Sequence, residues 1–172
     1  MASFHILFHI LSLIAAVMAI EARFMTSSGC VGYQAACSNM ADNECCYIVH
    51  GWQWWNIQYV FVPKNWDVVM EGYGYGDGNC ERKHNINFAA KEAHPGDQGL
   101  TDICLGWSSL NLPYTATKWH SGKTPEILSK RAPTESGCRR VDTLGSPNGT
   151  QYSIHDLDDT TLQNFVRIYP SQ

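Results

Sequence analysis

The residues that could do acid–base chemistry are histidines, carboxylates and an arginine, which a secreted hydrolase or ribonuclease would use as acid and base. The candidates of these types are His50, Glu71, Arg82 and His120. No local spacing ties them together, and neither a GxSxG nor an HExxH motif occurs. We therefore assign no catalytic residue, and a small secreted hydrolase or ribonuclease stays an alternative function.

Aromatic side chains are concentrated in residues 51–80, which hold four of the six tryptophans. On an extended chain Trp52 and Trp54 share one face, and aromatic faces can stack on sugar rings. Packing in the core explains the same tryptophans, so a carbohydrate-binding module for cell-wall polysaccharide is a second alternative. The candidate binding residues are Trp52, Trp54, Trp55, Tyr73 and Tyr75.

Two kinds of metal site can be sought in the sequence, one for calcium and one for zinc. Asp77 and Asn79 lie in a glycine-rich run with Glu71 nearby and could supply oxygen ligands to calcium. The same run is explained by a β-bulge. After residue 22 the chain has no CxxC or HxxxH spacing for zinc. We predict neither a metal nor a cofactor.

All seven cysteines follow residue 22, and in an oxidising compartment they indicate a disulfide framework. Three bridges leave one thiol over, which is either free or pairs between two chains in a disulfide-linked dimer. Adjacent Cys45 and Cys46 point to opposite faces of a strand, so we expect them to bond two different neighbours, one of them Cys30 or Cys37. The cysteines are Cys30, Cys37, Cys45, Cys46, Cys80, Cys104 and Cys138.

The amino terminus resembles a secretory signal peptide over residues 1–22. Its apolar stretch, residues 6–20, is short for a transmembrane helix, and Ala19 and Ala22 are small residues that offer cleavage points. We predict a secreted, extracellular protein without a membrane anchor and one domain over residues 23–172. Loss of Glu21 with the leader changes the formal net charge from −4 to −3, which argues against nucleic acid as a partner.

The clearest strand pattern begins at Ile57. Ile57, Tyr59 and Phe61 would fall on one face of a strand that ends at Pro63. A turn through Lys64 and Asn65 would lead into a second strand over residues 66–70, so the two strands predict a hairpin. Glycine at positions 72, 74, 76 and 78 suits a bend, a bulge or the close approach of another group.

The remaining segments complete the predicted fold. Residues 23–43 indicate loops stapled by disulfides, 46–49 a strand, 87–93 a short helix, 102–107 a strand, 125–130 a short helix, and 152–155 and 164–169 two strands. The many short strands favour a mainly β fold, a disulfide-stabilised compact sandwich or barrel-like domain with one or two short helices.

Two signals suggest processing. Asn148 begins an Asn-Gly-Thr sequon in a turn-like segment, which predicts N-glycosylation. Lys130 and Arg131 form a dibasic pair of the kind that proteases of the kexin type cut. The alternative for this pair is a helix end, where cations interact favourably with the helix dipole.

After the leader, the chain has four characteristic features. They are a Cys-Cys pair, a strand ending in VFVP, a tryptophan three residues later and a Gly/Tyr-rich run that ends in cysteine. In these features it resembles the small cysteine-rich proteins secreted by fungi, many of them effector-like or toxin-like. The resemblance rests on Cys45, Cys46, residues 60–63, Trp66 and residues 72–80. It implies a secreted effector-like or toxin-like protein that binds an extracellular target, a host or competitor protein or glycan. We take this as the predicted function.

Overall fold

The computed structural model describes residues 19–48, 54–74, 80–81, 85–106, 112–122 and 138–167. These residues form eleven strands and one helix. The elements are β1 (Ile20–Ser27), β2 (Val31–Met40), β3 (Cys45–Tyr47), β4 (Asn56–Pro63), β5 (Val68–Tyr73), β6 (Asn85–Lys91), β7 (Leu100–Leu105), β8 (Ala116–Ser121), β9 (Cys138–Arg140), β10 (Thr143–Gly145), β11 (Gln151–Ser153) and α1 (Asp159–Arg167).

The strands form two sheets. Sheet A has the order β11-β10-β2-β1-β4-β7, and sheet B has the order β6-β5-β8-β3-β9. Strands β3 and β9 are parallel, and the other pairs among the described strands are antiparallel. The mainly β, sandwich-like fold predicted from the sequence is confirmed, and the sheets do not close into a barrel.

The core lies between the two sheets, because alternate residues of each strand point inward. On β1, Ile20, Ala22 and Phe24 are fully buried. They belong to the same apolar cluster as Met70 and Trp119 of sheet B. Burial of one large apolar side chain contributes about 1.5–3 kcal/mol, so β1 is a principal strand of the core.

The loops predicted over residues 23–43 are wrong. Strands β1 and β2 form an antiparallel hairpin, from Ile20 opposite Met40 to Ser27 opposite Val31. Its turn contains Cys30 with a φ of 57°, next to a glycine that is also left-handed. The small residues 35–37 are fully buried in the middle of sheet A. Their size therefore reflects close packing and not a loop.

The hairpin predicted on either side of Pro63 is also wrong. Strand β4 ends at Pro63 as expected, but it pairs with β1 and β7 in sheet A. Strand β5 pairs with β6 and β8 in sheet B. Residues 64–67 therefore carry the chain from one sheet to the other, because both strands have apolar residues that must reach the shared core.

Phe61 does not share the inward face with Ile57 and Tyr59. The β4–β7 register shifts between Tyr59 and Val62, and Phe61 has a φ of 64°. This β-bulge turns the ring of Phe61 outward, where it is 45% exposed, and puts Val62 into the core with no exposure. A bulge leaves no signal in an uninterrupted apolar run.

Two segments have the opposite secondary structure to the prediction. Residues 87–93 were expected to be helical, but Asn85–Lys91 form β6, which pairs with β5 along its whole length. Residues 164–169 were expected to be a strand, but 164–167 belong to α1. Asp158 caps this helix by accepting hydrogen bonds from the amide and the hydroxyl of Thr161, both at 2.8 Å.

Three expectations for other segments are met in outline. Strand β7 covers most of the strand expected over 102–107, β11 covers part of that expected over 152–155, and β3 part of that expected over 46–49. The helix expected over 125–130 lies outside the described residues.

Three disulfides hold the sandwich together, as the cysteine count predicted. Cys30–Cys104 joins the β1–β2 turn to β7, Cys37–Cys46 joins sheet A to sheet B, and Cys45–Cys80 fixes a segment that follows β5. The two adjacent cysteines do bond different neighbours, one of them Cys37. Each bridge is worth about 2–4 kcal/mol.

Candidate functional site

Strands β5 and β8 place four polar side chains on the face of sheet B that points away from sheet A. The carboxylate oxygen Oε2 of Glu71 is the centre of this group. It lies 3.5 Å from Nε2 of His120 and 3.9 Å from Nζ of Lys118, and it accepts a hydrogen bond from the hydroxyl of Tyr73. The ammonium group of Lys118 also lies 5.7 Å from the centre of the Tyr73 ring. We call Glu71, Tyr73, Lys118 and His120 the polar cluster.

Electrostatics keep the carboxyl group of this cluster ionised. Burial by itself would raise the pKa of Glu71, but the hydrogen bonds from His120 and Tyr73 and the charge of Lys118 outweigh it and lower that pKa below its ordinary value. Burial, followed by the nearby charge of Glu71, raises the pKa of Tyr73. Tyr73 is therefore a neutral hydrogen-bond donor to a carboxylate.

A carboxylate in contact with a histidine is the minimum arrangement for acid–base catalysis. The polar cluster has this pair, but Glu71 is only 8% exposed and His120 only 1% exposed. Glu71 also contacts each of the other three groups. In the described geometry the cluster stabilises sheet B and offers little access to a substrate.

Two hydroxyl networks on the core side position the strands that carry the cluster. The hydroxyl of Tyr59 in sheet A contacts that of Thr117 in sheet B, which ties the sheets together behind the cluster. The hydroxyl of Tyr114 accepts a hydrogen bond from Nδ2 of Asn87 at 2.9 Å and donates one to the carbonyl of Gly106. Burial raises the pKa of Tyr114 to about 12. These phenols are structural.

Three sulfur atoms adjoin the polar cluster. The sulfurs of Cys45, Cys80 and Cys138 all lie within 4.8 Å of one another. Cys45 and Cys80 are bonded, whereas Cys138 is free and exposed. Cys45 stands opposite Lys118 in the β3–β8 pairing, so it shares a sheet face with the polar cluster.

Apolar side chains are exposed at one end of sheet A. Phe61, Trp66 and Leu100 are 45%, 37% and 40% exposed, respectively. Leu100 pairs with Pro63 across the β4–β7 ladder, and the amide of Trp66 donates to the carbonyl of Pro63 at 3.2 Å. All three residues therefore lie near the end of β4 along the backbone. We call Phe61, Trp66 and Leu100 the apolar end.

The apolar end is held in a fixed geometry. The Trp66 ring stacks on the buried ring of Trp119, with 6.1 Å between centroids. Nζ of Lys91 donates hydrogen bonds to the carbonyls of Lys64 at 2.7 Å and of Trp66 at 3.0 Å. The left-handed φ of Phe61 is unusual for a bulky residue and costs energy. The fold thus maintains an exposed aromatic ring at a strained position.

Of the aromatic residues proposed as a binding site, Trp54 and Tyr73 are buried. Trp54 is 1% exposed and packs edge to face against Phe24, with centroids 6.4 Å apart. Tyr73 is 1% exposed, and Trp55 is half-buried. Neither Trp54 nor Tyr73 offers a ring face to solvent, because both point into packed regions. Trp52 and Tyr75 lie outside the described residues, so their role stays a prediction.

The structure describes only some of the residues that the sequence predicts for acid–base chemistry, calcium binding, proteolytic processing and glycosylation. Glu71 and His120 come together, whereas His50 and Arg82 lie outside the described residues. The calcium candidates Asp77 and Asn79 also lie outside them, as do the dibasic residues Lys130 and Arg131. Asn148 is exposed in the turn between β10 and β11, where a glycan would be accessible.

Sequence reasoning missed the apolar end and Lys118. The sequence predicts a strand that begins at Trp66, but the structure places Trp66 in the turn that crosses between the two sheets. Glu71 did carry a signal, because one acidic residue within the strand sequence VVMEGY must find partners when it is buried.

Comparison with known proteins identifies a family. Residues 21–143 match the ARB_05566_N family, described as an N-terminal domain. The chain belongs to this family. The match runs from β1 to the beginning of β10, so it includes the polar cluster, the apolar end and the three neighbouring cysteines Cys45, Cys80 and Cys138. No curated protein matches the chain, and no solved structure matches it.

In the part of the chain that the structure describes, no helix is both long and apolar enough to cross a membrane.

Proposed function

We propose that the protein is secreted and acts outside the cell as an effector-like or toxin-like protein that binds its target through the apolar end. The observation that carries the binding proposal is Phe61, whose ring the bulge in β4 turns into solvent at the cost of a left-handed backbone. Bulges often re-aim a side chain at a functional site.

Secretion is supported by the cysteines and the amino-terminal segment. Six of the seven cysteines form bridges, and such frameworks persist in oxidising compartments. The apolar segment before β1 has the composition of a leader. A fungal source and the use of the glycosylation sequon remain parts of this proposal.

The energetics suit a binding surface. Rigid aromatic side chains lose little entropy when they are buried against a partner, so they are frequent among the residues that dominate binding energy. Trp66 is held by Trp119, and its turn is fixed by Lys91. The apolar end is therefore preorganised, which reduces the cost of association.

The test measures binding of fluorescently labelled protein to intact plant, yeast and bacterial cells. We expect saturable binding to one cell type, displaced by unlabelled protein. The double variant Phe61→Ala/Trp66→Ala should bind at least about tenfold more weakly, the loss expected when hot-spot side chains are removed. Tyr152→Ala is the matched control, because Tyr152 is 53% exposed at the opposite edge of sheet A.

Equal binding by the double variant and wild type would refute the assignment of the apolar end. Absence of saturable binding to every cell type would count against the binding proposal as a whole. Retention on insoluble chitin, cellulose or glucan, lost on Trp66→Ala or Trp52→Ala, would identify the target as a glycan and support the carbohydrate-binding alternative.

The contact between Glu71 and His120 favours a second candidate, a small secreted hydrolase. Here Glu71 and His120 would act as the acid–base pair after the cluster opens. Purified protein should then cleave an RNA, ester or glycan substrate, with at least about a hundredfold loss on His120→Ala. The same activity in Glu71→Gln and His120→Ala variants that retain three disulfides would exclude this candidate.

A further inference from the structure

The seventh cysteine lies beside a disulfide. The sulfur of Cys138 is within 4.8 Å of the sulfurs of Cys45 and Cys80, which are bonded to each other. A thiolate exchanges with a disulfide by direct attack on one of its sulfurs. The folded chain therefore holds a nucleophile and its electrophile together.

The backbone maintains this proximity. Cys138 stands directly opposite Cys45 in the parallel pairing of β9 with β3. The next residue, Arg139, binds Glu44 with 2.9 Å from Nε to Oε1 and Asp142 with 3.0 Å from Nη1 to Oδ2. Because Glu44 immediately precedes β3, its ion pair with Arg139 helps to hold β9 against that strand.

Cys80 is suited to be the leaving group. It lies outside the strands and is half-buried, whereas Cys45 is only 2% exposed. The Cys80 sulfur is 3.3 Å from the carbonyl oxygen of Thr117, which can accept a hydrogen bond from a Cys80 thiol. Lys118 stands opposite Cys45 on the same sheet face, so a positive charge lies on the face where the exchange occurs.

We propose that Cys45, Cys80 and Cys138 form an intramolecular thiol–disulfide exchange site. The Cys138 thiolate attacks Sγ of Cys45, the Cys45–Cys80 bond breaks and the Cys45–Cys138 bond forms. The electron pair of the broken bond leaves on Cys80, which takes up the proton that Cys138 lost to solvent. One disulfide is exchanged for another, so no oxidant or reductant is required.

This exchange makes the position of the reactive thiol variable. In one form Cys138 carries the thiol, and in the other Cys80 carries it and is no longer bonded to Cys45 of β3. Either thiol can attack a disulfide-bearing partner, forming a mixed disulfide with one of the partner's sulfurs and releasing the other as a thiol. The inference goes beyond the proposed binding function and does not depend on it.

The test maps the disulfides of the oxidised, folded wild-type protein. The protein is alkylated slowly with dilute iodoacetamide at pH 8, digested with pepsin in acid and analysed by mass spectrometry without reduction. We expect alkylated Cys80 together with a Cys45–Cys138 bridge in a fraction of the molecules. That fraction should be independent of protein concentration, and the Cys30–Cys104 and Cys37–Cys46 bridges should stay intact.

The variant Cys80→Ser gives a second readout. Of the three cysteines of the exchange site, this variant retains Cys45 and Cys138, and we expect them to form a disulfide in the folded protein. Alkylation of Cys138 alone in wild type, with Cys45–Cys80 intact in every molecule, would overturn the proposal. Two alkylatable thiols in folded Cys80→Ser would also overturn it. If that variant does not fold, the wild-type map decides.

Discussion

Gly72 occupies a position in β5 where a side chain has no room. A Cβ atom built there would lie 2.3 Å from Cε1 and 2.7 Å from Cδ1 of Tyr114, and 3.1 Å from Cδ2 of Leu105. Tyr114 is fully buried, and its hydroxyl is hydrogen-bonded to Asn87 and Gly106. The variant Gly72→Ala therefore forces the Tyr114 ring to move or the strand to shift.

The expected cost of Gly72→Ala follows from this geometry. Overpacking of a core costs about 1–3 kcal/mol, and weakening the two Tyr114 hydrogen bonds adds about 1 kcal/mol each. The better strand propensity of alanine returns about 0.5–1 kcal/mol. We expect a net loss of about 2–4.5 kcal/mol in the free energy of unfolding.

Equilibrium unfolding in guanidinium chloride with the disulfides intact measures this loss. Gly106→Ala is the matched control, because the nearest atom to a Cβ there is Oδ1 of Asn56 at 3.9 Å. We expect that variant to lie within about 0.5 kcal/mol of wild type. In a Tyr114→Leu background, Gly72→Ala should cost less than half as much. Equal stability of the two glycine variants would refute the packing argument.

Three further predictions concern pH, processing and glycosylation. The pKa of Glu71 in the folded protein is below its ordinary value of 4.5, so the contribution of the Glu71 carboxylate to stability is complete above pH 4.5 and is lost as the pH falls toward the folded pKa. In urea unfolding, the difference in stability between wild type and Glu71→Gln should therefore narrow from pH 6 to pH 3. A constant difference would contradict this. Cleavage after Ala19 leaves β1 whole, whereas cleavage after Ala22 would remove buried Ile20, so amino-terminal sequencing should find Ile20 first and not Arg23. Expression in a eukaryotic secretory host should give a protein whose mass falls on deglycosylation, and Asn148→Gln should abolish that shift.

The fold class was accessible from the sequence because it depends on features that are local or compositional. Short β-branched and aromatic runs separated by turns favour sheets, and Pro63 does end a strand. The cysteine count gives three bridges whatever their connectivity. Opposite orientations of Cys45 and Cys46 follow from the two-residue period of a strand, and the structure confirms two different partners.

The sequence-based predictions of the fold are wrong where tertiary contacts determine the secondary structure or the strand pairing. Residues 87–93 contain good helix formers, but backbone pairing with β5 stabilises this segment as strand β6. Residues around Pro63 suit a hairpin, yet burial of both flanking strands in the core requires them to lie in different sheets. Small residues such as Ala35 predict a loop by their composition, which does not show that they are buried.

The candidate site was only partly predictable for the same reason. Glu71 and His120 are 49 positions apart along the chain, and only the pairing of β5 with β8 brings them together. The exposure of Phe61 depends on one bulge, which reverses the face expected from alternation. Proximity of Cys138 to Cys45 depends on a parallel pairing that has no local sequence signal.

The most direct test of the central claim is to express the full chain with its own leader in a eukaryotic secretory host and analyse the protein in the medium. Intact mass and a non-reducing peptide map should show a chain beginning at Ile20, with the bridges Cys30–Cys104 and Cys37–Cys46. A third bridge should join Cys45 to Cys80 or to Cys138, leaving one alkylatable thiol per chain. A protein retained inside the cell with residues 1–19 attached and its cysteines reduced would contradict the account of a secreted, disulfide-stabilised binding protein.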